Sequence, residues 1–254
     1  MNRLYIIGTG PGGLEHLSPR ARAALESCTD LAGHGLYLNL LGELTDGKTR
    51  HKTPMGEELA RATRALDLAA SGRTTALVSS GDAGIYGMAT VVFELLARKP
   101  KPEWATVDIE VIPGISAMQA AAARVGAPLA HDFCVISLSD LLTPWDLIAK
   151  RIDLAGQGDF AIAFYNAVSN KRSWQLLEAR QILLRHRQPD TPVIVAFNVT
   201  RKGEQLTVTT LGDLDPEPLN MLSLVMVGNS ETRRVGPWVY TPRGYHAKPE
   251  LAGT

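Results

Sequence analysis

The chain has 254 residues, with 26 Lys+Arg against 26 Asp+Glu and a formal net charge of zero. Apolar residues make up 45% and charged residues 20%, which excludes an intrinsically disordered chain. The charge balance argues against a general binder of nucleic acid or anionic membrane, since both favour a basic excess.

In chain order, strands are predicted at Leu4–Ile7, Thr75–Ser79, Val107–Ile112, Phe133–Ser137, Phe160–Tyr165, Val193–Asn198, Gln205–Thr209 and Leu222–Val227. Several, such as Val193-Ile194-Val195-Ala196-Phe197, are continuous apolar runs suited to strands covered on both faces. Helices fall between them. The first runs from Pro19 to about Ser27, with Ser18 as N-cap and Pro19 at the first helical position. Others cover about Gly56–Ser71 (stopped by Gly72), Gly84–Arg98, Ser116–Val125, Pro144–Leu154 (Thr143 as N-cap) and Asn170–Arg187. This alternation predicts an α/β fold of two αβα domains. The first, 1–126, has a mainly parallel sheet. The second, 127–254, has a mixed sheet, because two strands near the end follow each other with little helix between. Thr241–Thr254 reads as a tail or an edge cover.

No apolar run is long enough to span a membrane. Met1–Gly8 already reads as a strand rather than a signal peptide, so a cytoplasmic chain is expected. Cys28 and Cys134 are far apart and form no disulfide framework. The six histidines show no HxH or HExxH spacing, so no metal site is expected. No G-x-S-x-G elbow is present.

Gly8-Thr9-Gly10-Pro11-Gly12-Gly13 satisfies G-x-G-x-x-G, and Asp30 lies about where a ribose-binding acid would sit. That pattern admits an NAD-dependent oxidoreductase. Two features oppose it. The best helix start, Ser18-Pro19, comes several residues too late for a helix N-terminus to meet a pyrophosphate. Pro11 also removes an N–H from the centre of the cradle. Two further loops occupy equivalent places: Ser80-Gly81-Asp82-Ala83-Gly84-Ile85-Tyr86-Gly87 and Pro113-Gly114-Ile115-Ser116-Ala117. Three glycine-containing loops at carboxyl ends of strands predict one pocket with close backbone approach.

IIGTGPGGLEHLS, SSGDAGIYGMA and VIPGISAMQAAAA resemble the signature loops of the tetrapyrrole methylase family, S-adenosylmethionine (SAM)-dependent methyltransferases of two α/β domains with the cofactor in the cleft between them. DFCVISLSDLLTPW, AIAFYNAVSNKR, TPVIVAFNVTRKGE, SLVMVGNSET and YTPRGYH resemble its precorrin-3B C17-methyltransferase branch, so the similarity covers nearly the whole chain. Ala83 and Ala167 stand where proline is usual, and Pro54 where glycine is common. None of the three removes a reactive group.

The resemblance implies cobalamin-pathway chemistry: methylation of precorrin-3B at C17 with ring contraction, giving precorrin-4 and S-adenosyl-L-homocysteine. It leaves open the anaerobic, cobalt-containing substrate and other tetrapyrroles. Such chemistry mainly needs alignment and exclusion of water. Gly10 and Pro11 would line the cleft floor. Gly81, Asp82 and Ile85 would contact SAM, Asp82 near its amino-acid part or placing the loop; equally, Asp82 could N-cap the next helix. Ser116 and Ala117 would hold the cofactor at a helix start. Asn166, Asn198 and Gly228 would close over the adenosine. The substrate, edged with carboxylates, calls for basic residues on one wall. Of the clusters at Lys48–Lys52, Lys171-Arg172, Arg201-Lys202, Arg233-Arg234 and Arg243/His246/Lys248, the favoured residues are Arg50, Lys52 and Arg172. Ring contraction needs a general base, with Asp140, Glu58 and His51 as candidates. A homodimer is expected from the family.

Overall fold

The computed structural model describes residues 2–168, 173–217 and 219–248. The chain divides into two units, Met1–Ala117 and Met118–Thr254. The division read from the sequence, after residue 126, lies at the other end of the helix that starts at Ala117.

In the first unit, β1 (Arg3–Gly8), β2 (Asp30–His34), β3 (Thr49–Thr53), β4 (Thr74–Ser79) and β5 (Asp108–Ile112) form one sheet in the order β3-β2-β4-β1-β5. Every pairing is parallel. The helices are α1 (Pro19–Ser27), α2 (Gly35–Leu40), α3 (Glu58–Ala70) and α4 (Met88–Arg98). Strand alternation sorts the side chains. Leu4, Ile6 and Leu77 pack with α3 and α4, whereas Ile7, Leu31, Ala76 and Val78 pack with α1 and α2.

The Ser18 hydroxyl accepts the Ala21 N–H at 3.1 Å and starts α1, as its sequence requires. Gly72, at φ +93°, ends α3. The polar strand β3, Thr-Arg-His-Lys-Thr, was not legible as a strand. It sits at the sheet edge, where cations discourage further pairing. Nor were β2 and α2 expected within the glycine-containing run Asp30–Leu40. At Gly33 a Cβ would stand 3.0 Å from the Leu38 side chain, so α2 packs onto a strand position that needs no side chain.

Asp30 has no solvent exposure and begins β2, at the amino end of the strand. Its carboxylate accepts from the Thr29 hydroxyl (2.8 Å) and from Arg73 (3.0 and 3.1 Å), and pairs with His51 Nε2 at 2.8 Å. A ribose-binding acid belongs at the carboxyl edge, so Asp30 cannot take that role. Burial raises its pKa, but the bonds from His51, Thr29 and Arg73 outweigh it, and the pKa is lowered overall.

In the second unit, α5 (Ala117–Val125) leads to β6 (Gly126–Ala127), β7 (Phe133–Ser137), α6 (Trp145–Gln157), β8 (Ala161–Tyr165), α7 (Trp174–Leu183), β9 (Pro192–Phe197), β10 (Gln205–Thr210), β11 (Ser223–Val227), β12 (Arg233–Val235) and β13 (Trp238–Tyr240). The sheet order is β10-β9-β11-β8-β7. It is mixed: β7 is parallel to β8, whereas β11 is antiparallel to both β8 and β9. Helices α6 and α7 cover one face through Ile148, Ile152, Leu176 and Leu183 against Ile162, Phe164, Val193 and Val225. Pro144, not Thr143, flanks α6, and no side chain caps it. A small sheet, β12-β13-β6, follows. Thr241, at the start of the stretch read as a tail or an edge cover, is buried; its hydroxyl donates to Pro128 O at 2.6 Å.

Arg187 is buried and joins three segments of this unit. It donates to Asp159 (2.7 Å), to Gly156 O and Gly228 O (3.1 Å each) and to Phe160 O (2.7 Å). Burial lowers its pKa, and the Asp159 carboxylate opposes that.

The depressed Asp30 pKa makes a testable contribution to stability. A carboxyl more acidic in the native state stabilises above the unfolded value, about 3.9, and that contribution is lost as pH falls through the native value. Asp30→Asn should therefore cost about 2 kcal/mol in urea unfolding at neutral pH. The difference from the wild type should shrink on acidification through the native Asp30 pKa.

Candidate active site

The first-unit strands are parallel, so the loops after β1, β4 and β5 leave the same edge, and β1 lies between the other two. Thr9 N–H donates to Ser79 O at 2.9 Å. Gly10 and Gly81 then form an antiparallel bridge: Gly10 N–H to Gly81 O at 3.1 Å and Gly81 N–H to Gly10 O at 2.8 Å. Both are left-handed, at φ +79° and +67°, which favours glycine.

The third loop locks on through Gly114. A Cβ there would stand 2.3 Å from Gly81 O and 2.6 Å from Gly8 O. A Cβ on Gly8 would meet Gly114 N at 2.6 Å and Gly81 O at 2.8 Å. All these obstacles are backbone, so no side chain can rotate away.

Asp82 closes the knot. One carboxylate oxygen accepts the N–H groups of Gly84 (2.8 Å) and Ile85 (3.2 Å). The other accepts Gly114 N–H at 2.9 Å. Asp82 thus places the loop rather than capping α4. That helix starts only at Met88, not at Gly84, because Tyr86 between them is left-handed at φ +51°. The amide of Met88 is met instead by the Ser79 hydroxyl at 3.3 Å.

The structure therefore brings together Gly10, Gly81, Asp82, Ile85, Ser116 and Ala117. Where Gly81 lacks a Cβ, the nearest atoms are Ser116 Cα and Ala117 N, both at 3.8 Å. A side-chain-free surface thus faces the start of α5, a shape that suits a cofactor held by main chain. Pro11 is buried in the first loop. Helix α1 opens well beyond this loop, after a 3-10 turn at Leu14–His16, which removes the dinucleotide geometry.

Other expected residues are dispersed. His51 is committed to Asp30. Glu58 accepts Gly56 N–H at 3.0 Å at the start of α3. Lys48 donates to Glu26 O and Cys28 O, at the end of α1. Arg50 and Lys52 are exposed on β3. Arg172 and Lys171 lie outside the described residues. Burial pushes the Cys28 thiol up to about 12, leaving it unreactive.

In the second unit, Asn166 and Asn198 end β8 and β9, and both are left-handed, at φ +52° and +50°. These strands run the same way, so the two residues share one sheet edge. Asn166 Nδ2 donates to the Ser137 hydroxyl at 2.9 Å. Gly228 does not join them. It ends β11, which runs the other way, and its carbonyl is held by Arg187 at the opposite edge. Tyr165 accepts Met118 N–H on its hydroxyl at 3.1 Å, at the first turn of α5.

A family model for Tetrapyrrole (Corrin/Porphyrin) Methylases matches residues 3–215. The chain belongs to this family. It is 46% identical over 242 residues to a probable cobalt-factor III C(17)-methyltransferase of Salmonella typhimurium, covering 95% of this chain and 99% of that protein. It is 41% identical over 247 residues to a precorrin-3B C(17)-methyltransferase of Sinorhizobium, covering 95% and 96%. Among solved structures, the methyltransferase CobJ superposes with a TM-score of 0.89 at 44% identity, covering 94% of this chain and 99% of that one. The chain spans about half the length of some other curated relatives it matches, 47% in one case. As a family member, the chain carries a methylase fold. Among the described residues, no helix is long and apolar enough to cross a membrane.

Gly114→Ala is expected to force the three loops apart. Cofactor affinity should fall at least roughly tenfold, with a stability loss of about 2 kcal/mol. Gly35→Ala, whose nearest neighbour is the Lys52 side chain at 3.8 Å, should change neither. Calorimetric titration with S-adenosylhomocysteine and urea unfolding measure both effects.

Proposed function

We propose that this chain is a SAM-dependent C17-methyltransferase of cobalamin biosynthesis, acting on precorrin-3B or its cobalt-containing counterpart and coupling methylation to ring contraction. The observation that supports it most is near full-length similarity to C17-methyltransferases, at 41% and 46% identity. Relatives of both descriptions match comparably, and the metal would travel with the substrate, so the reading covers both.

In this reading, Gly10, Pro11, Gly81, Ile85, Ser116 and Ala117 hold the cofactor through main chain and small side chains, while Asp82 fixes the loop they stand on. When bound, SAM supplies an electrophilic methyl group on a positively charged sulfur. The chain orients it, keeps water away and keeps charged side chains off the transfer path. Asn166 and Asn198 are assigned to the adenosine. Their left-handed backbone is a costly conformation of the kind retained at ligand sites. Arg50 and Lys52 are assigned to substrate carboxylates.

For the proton taken from the ring hydroxyl, Asp140 is preferred over Glu58 and His51. It follows β7 at the sheet edge that also carries Asn166. The chain is further proposed to be cytoplasmic and to work as a homodimer.

Calorimetry with SAM and with NADH tests the class: SAM should bind and NADH should not. Incubation with SAM and precorrin-3B or cobalt-factor III should give a product one methyl group heavier with a changed absorbance spectrum. Absence of SAM affinity, or an unchanged tetrapyrrole in both reactions, would contradict the proposal.

A further inference from the structure

The loop between β7 and α6 presents Leu141 and Leu142 at 78% and 98% exposure. These adjacent leucines stand in a loop anchored on both sides. Before them, Leu138 is fully buried and its N–H donates to Tyr165 O at 2.9 Å. Ser139 N–H donates to the Ser137 hydroxyl at 3.2 Å, and that same hydroxyl accepts Asn166. After them, the Trp145 ring meets Trp174 edge-on at 4.8 Å between centroids. The fold thus builds a fixed mount and leaves two large apolar side chains in water, which is unfavourable unless something covers them.

Their place in the sheet indicates what does. β7 is parallel to β8, and β8 and β9 are both antiparallel to β11. The loops after β7, β8 and β9 therefore leave one edge. Between β7 and β9 lie two strands, so the loops stand three strand spacings apart, about 14 Å. The far loop is Asn198–Gly203. It is a tight turn, with Arg201 N–H to Asn198 O at 2.8 Å and Glu204 N–H to Arg201 O at 3.0 Å. It holds two left-handed residues, Asn198 and Thr200, and presents an exposed Lys202. One edge therefore offers an apolar platform at one end and a cation at the other. A flat macrocycle with apolar faces and carboxylate arms has the complementary chemistry.

We infer that Leu141 and Leu142 lie against a face of the tetrapyrrole substrate and that Lys202 pairs with one of its peripheral carboxylates, making this edge a specificity-determining surface. This rests on the tetrapyrrole methylation reading above. Neither leucine carries a proton or a nucleophile, so their contribution is to binding and orientation.

The test uses the full chain, SAM and whichever of precorrin-3B or cobalt-factor III the wild type methylates. Leu141→Ser/Leu142→Ser should raise the tetrapyrrole KM roughly tenfold or more, with SAM affinity changed less than about twofold. Leu142→Met should keep the wild-type KM. Lys202→Met should raise the tetrapyrrole KM and weaken its dependence on salt, since a screened ion pair is lost. An unchanged tetrapyrrole KM in both the double serine and the Lys202 variants would overturn the inference. So would a fall in SAM affinity parallel to the rise in KM, which would mark general damage. A wild type that neither binds SAM nor methylates either tetrapyrrole would instead defeat the underlying reading, and the inference with it.

Discussion

At the carboxyl edge of the first sheet, the backbones of Gly8, Gly81 and Gly114 approach so closely that a Cβ on Gly8 or Gly114 would collide with main-chain atoms at 2.3–2.9 Å. Three loops can meet there only because Gly8 and Gly114 carry no side chain. Once they meet, the groups left over need partners, and Asp82 supplies two oxygens to three amides of two different loops. What results is a surface made of backbone and small side chains. Such a surface can hold a zwitterionic, cationic cofactor without placing a nucleophile or a strong base beside an electrophilic methyl group.

The second unit solves a different problem, holding loops in conformations the chain resists. Asn166, Asn198 and Thr200 are left-handed without being glycine, each at a cost of order 1 kcal/mol. The mixed sheet beneath them is rigid because α6 and α7 cover it and because Arg187 ties the turn before β8 to the end of β11. That anchoring lies at the opposite edge from the strained asparagines. The anchoring by Arg187 and the left-handed asparagines are thus placed at different ends of the same sheet.

Much of this was legible in the sequence wherever local chemistry decides the outcome. Ser18-Pro19 starts α1 whatever surrounds it, and apolar runs such as Val193–Phe197 form strands because both faces are covered. The three loops could be grouped because each follows a strand and carries glycine. Legibility ended where long-range pairing decides. β3 is polar and becomes a strand only because β2 offers its edge. Gly228 was placed with Asn166 and Asn198, but the direction of β11 follows from its antiparallel partners and puts it at the other edge. Asp30 matched a ribose-binding pattern by spacing, yet it stands at the amino end of its strand, neutralised by Arg73 and paired with His51. Asp82 could be either a helix cap or a loop tie from the sequence. The left-handed Tyr86, which delays α4, separates the two.

The most direct test of the account is a crystal structure of this chain with S-adenosylhomocysteine. The ligand should lie against Gly10, Gly81 and the Ser116-Ala117 start of α5, with Asp82 still bound to Gly114 N–H and making no contact with the ligand. A ligand seated away from these three loops, or one whose amino group replaces Gly114 as the partner of Asp82, would contradict it.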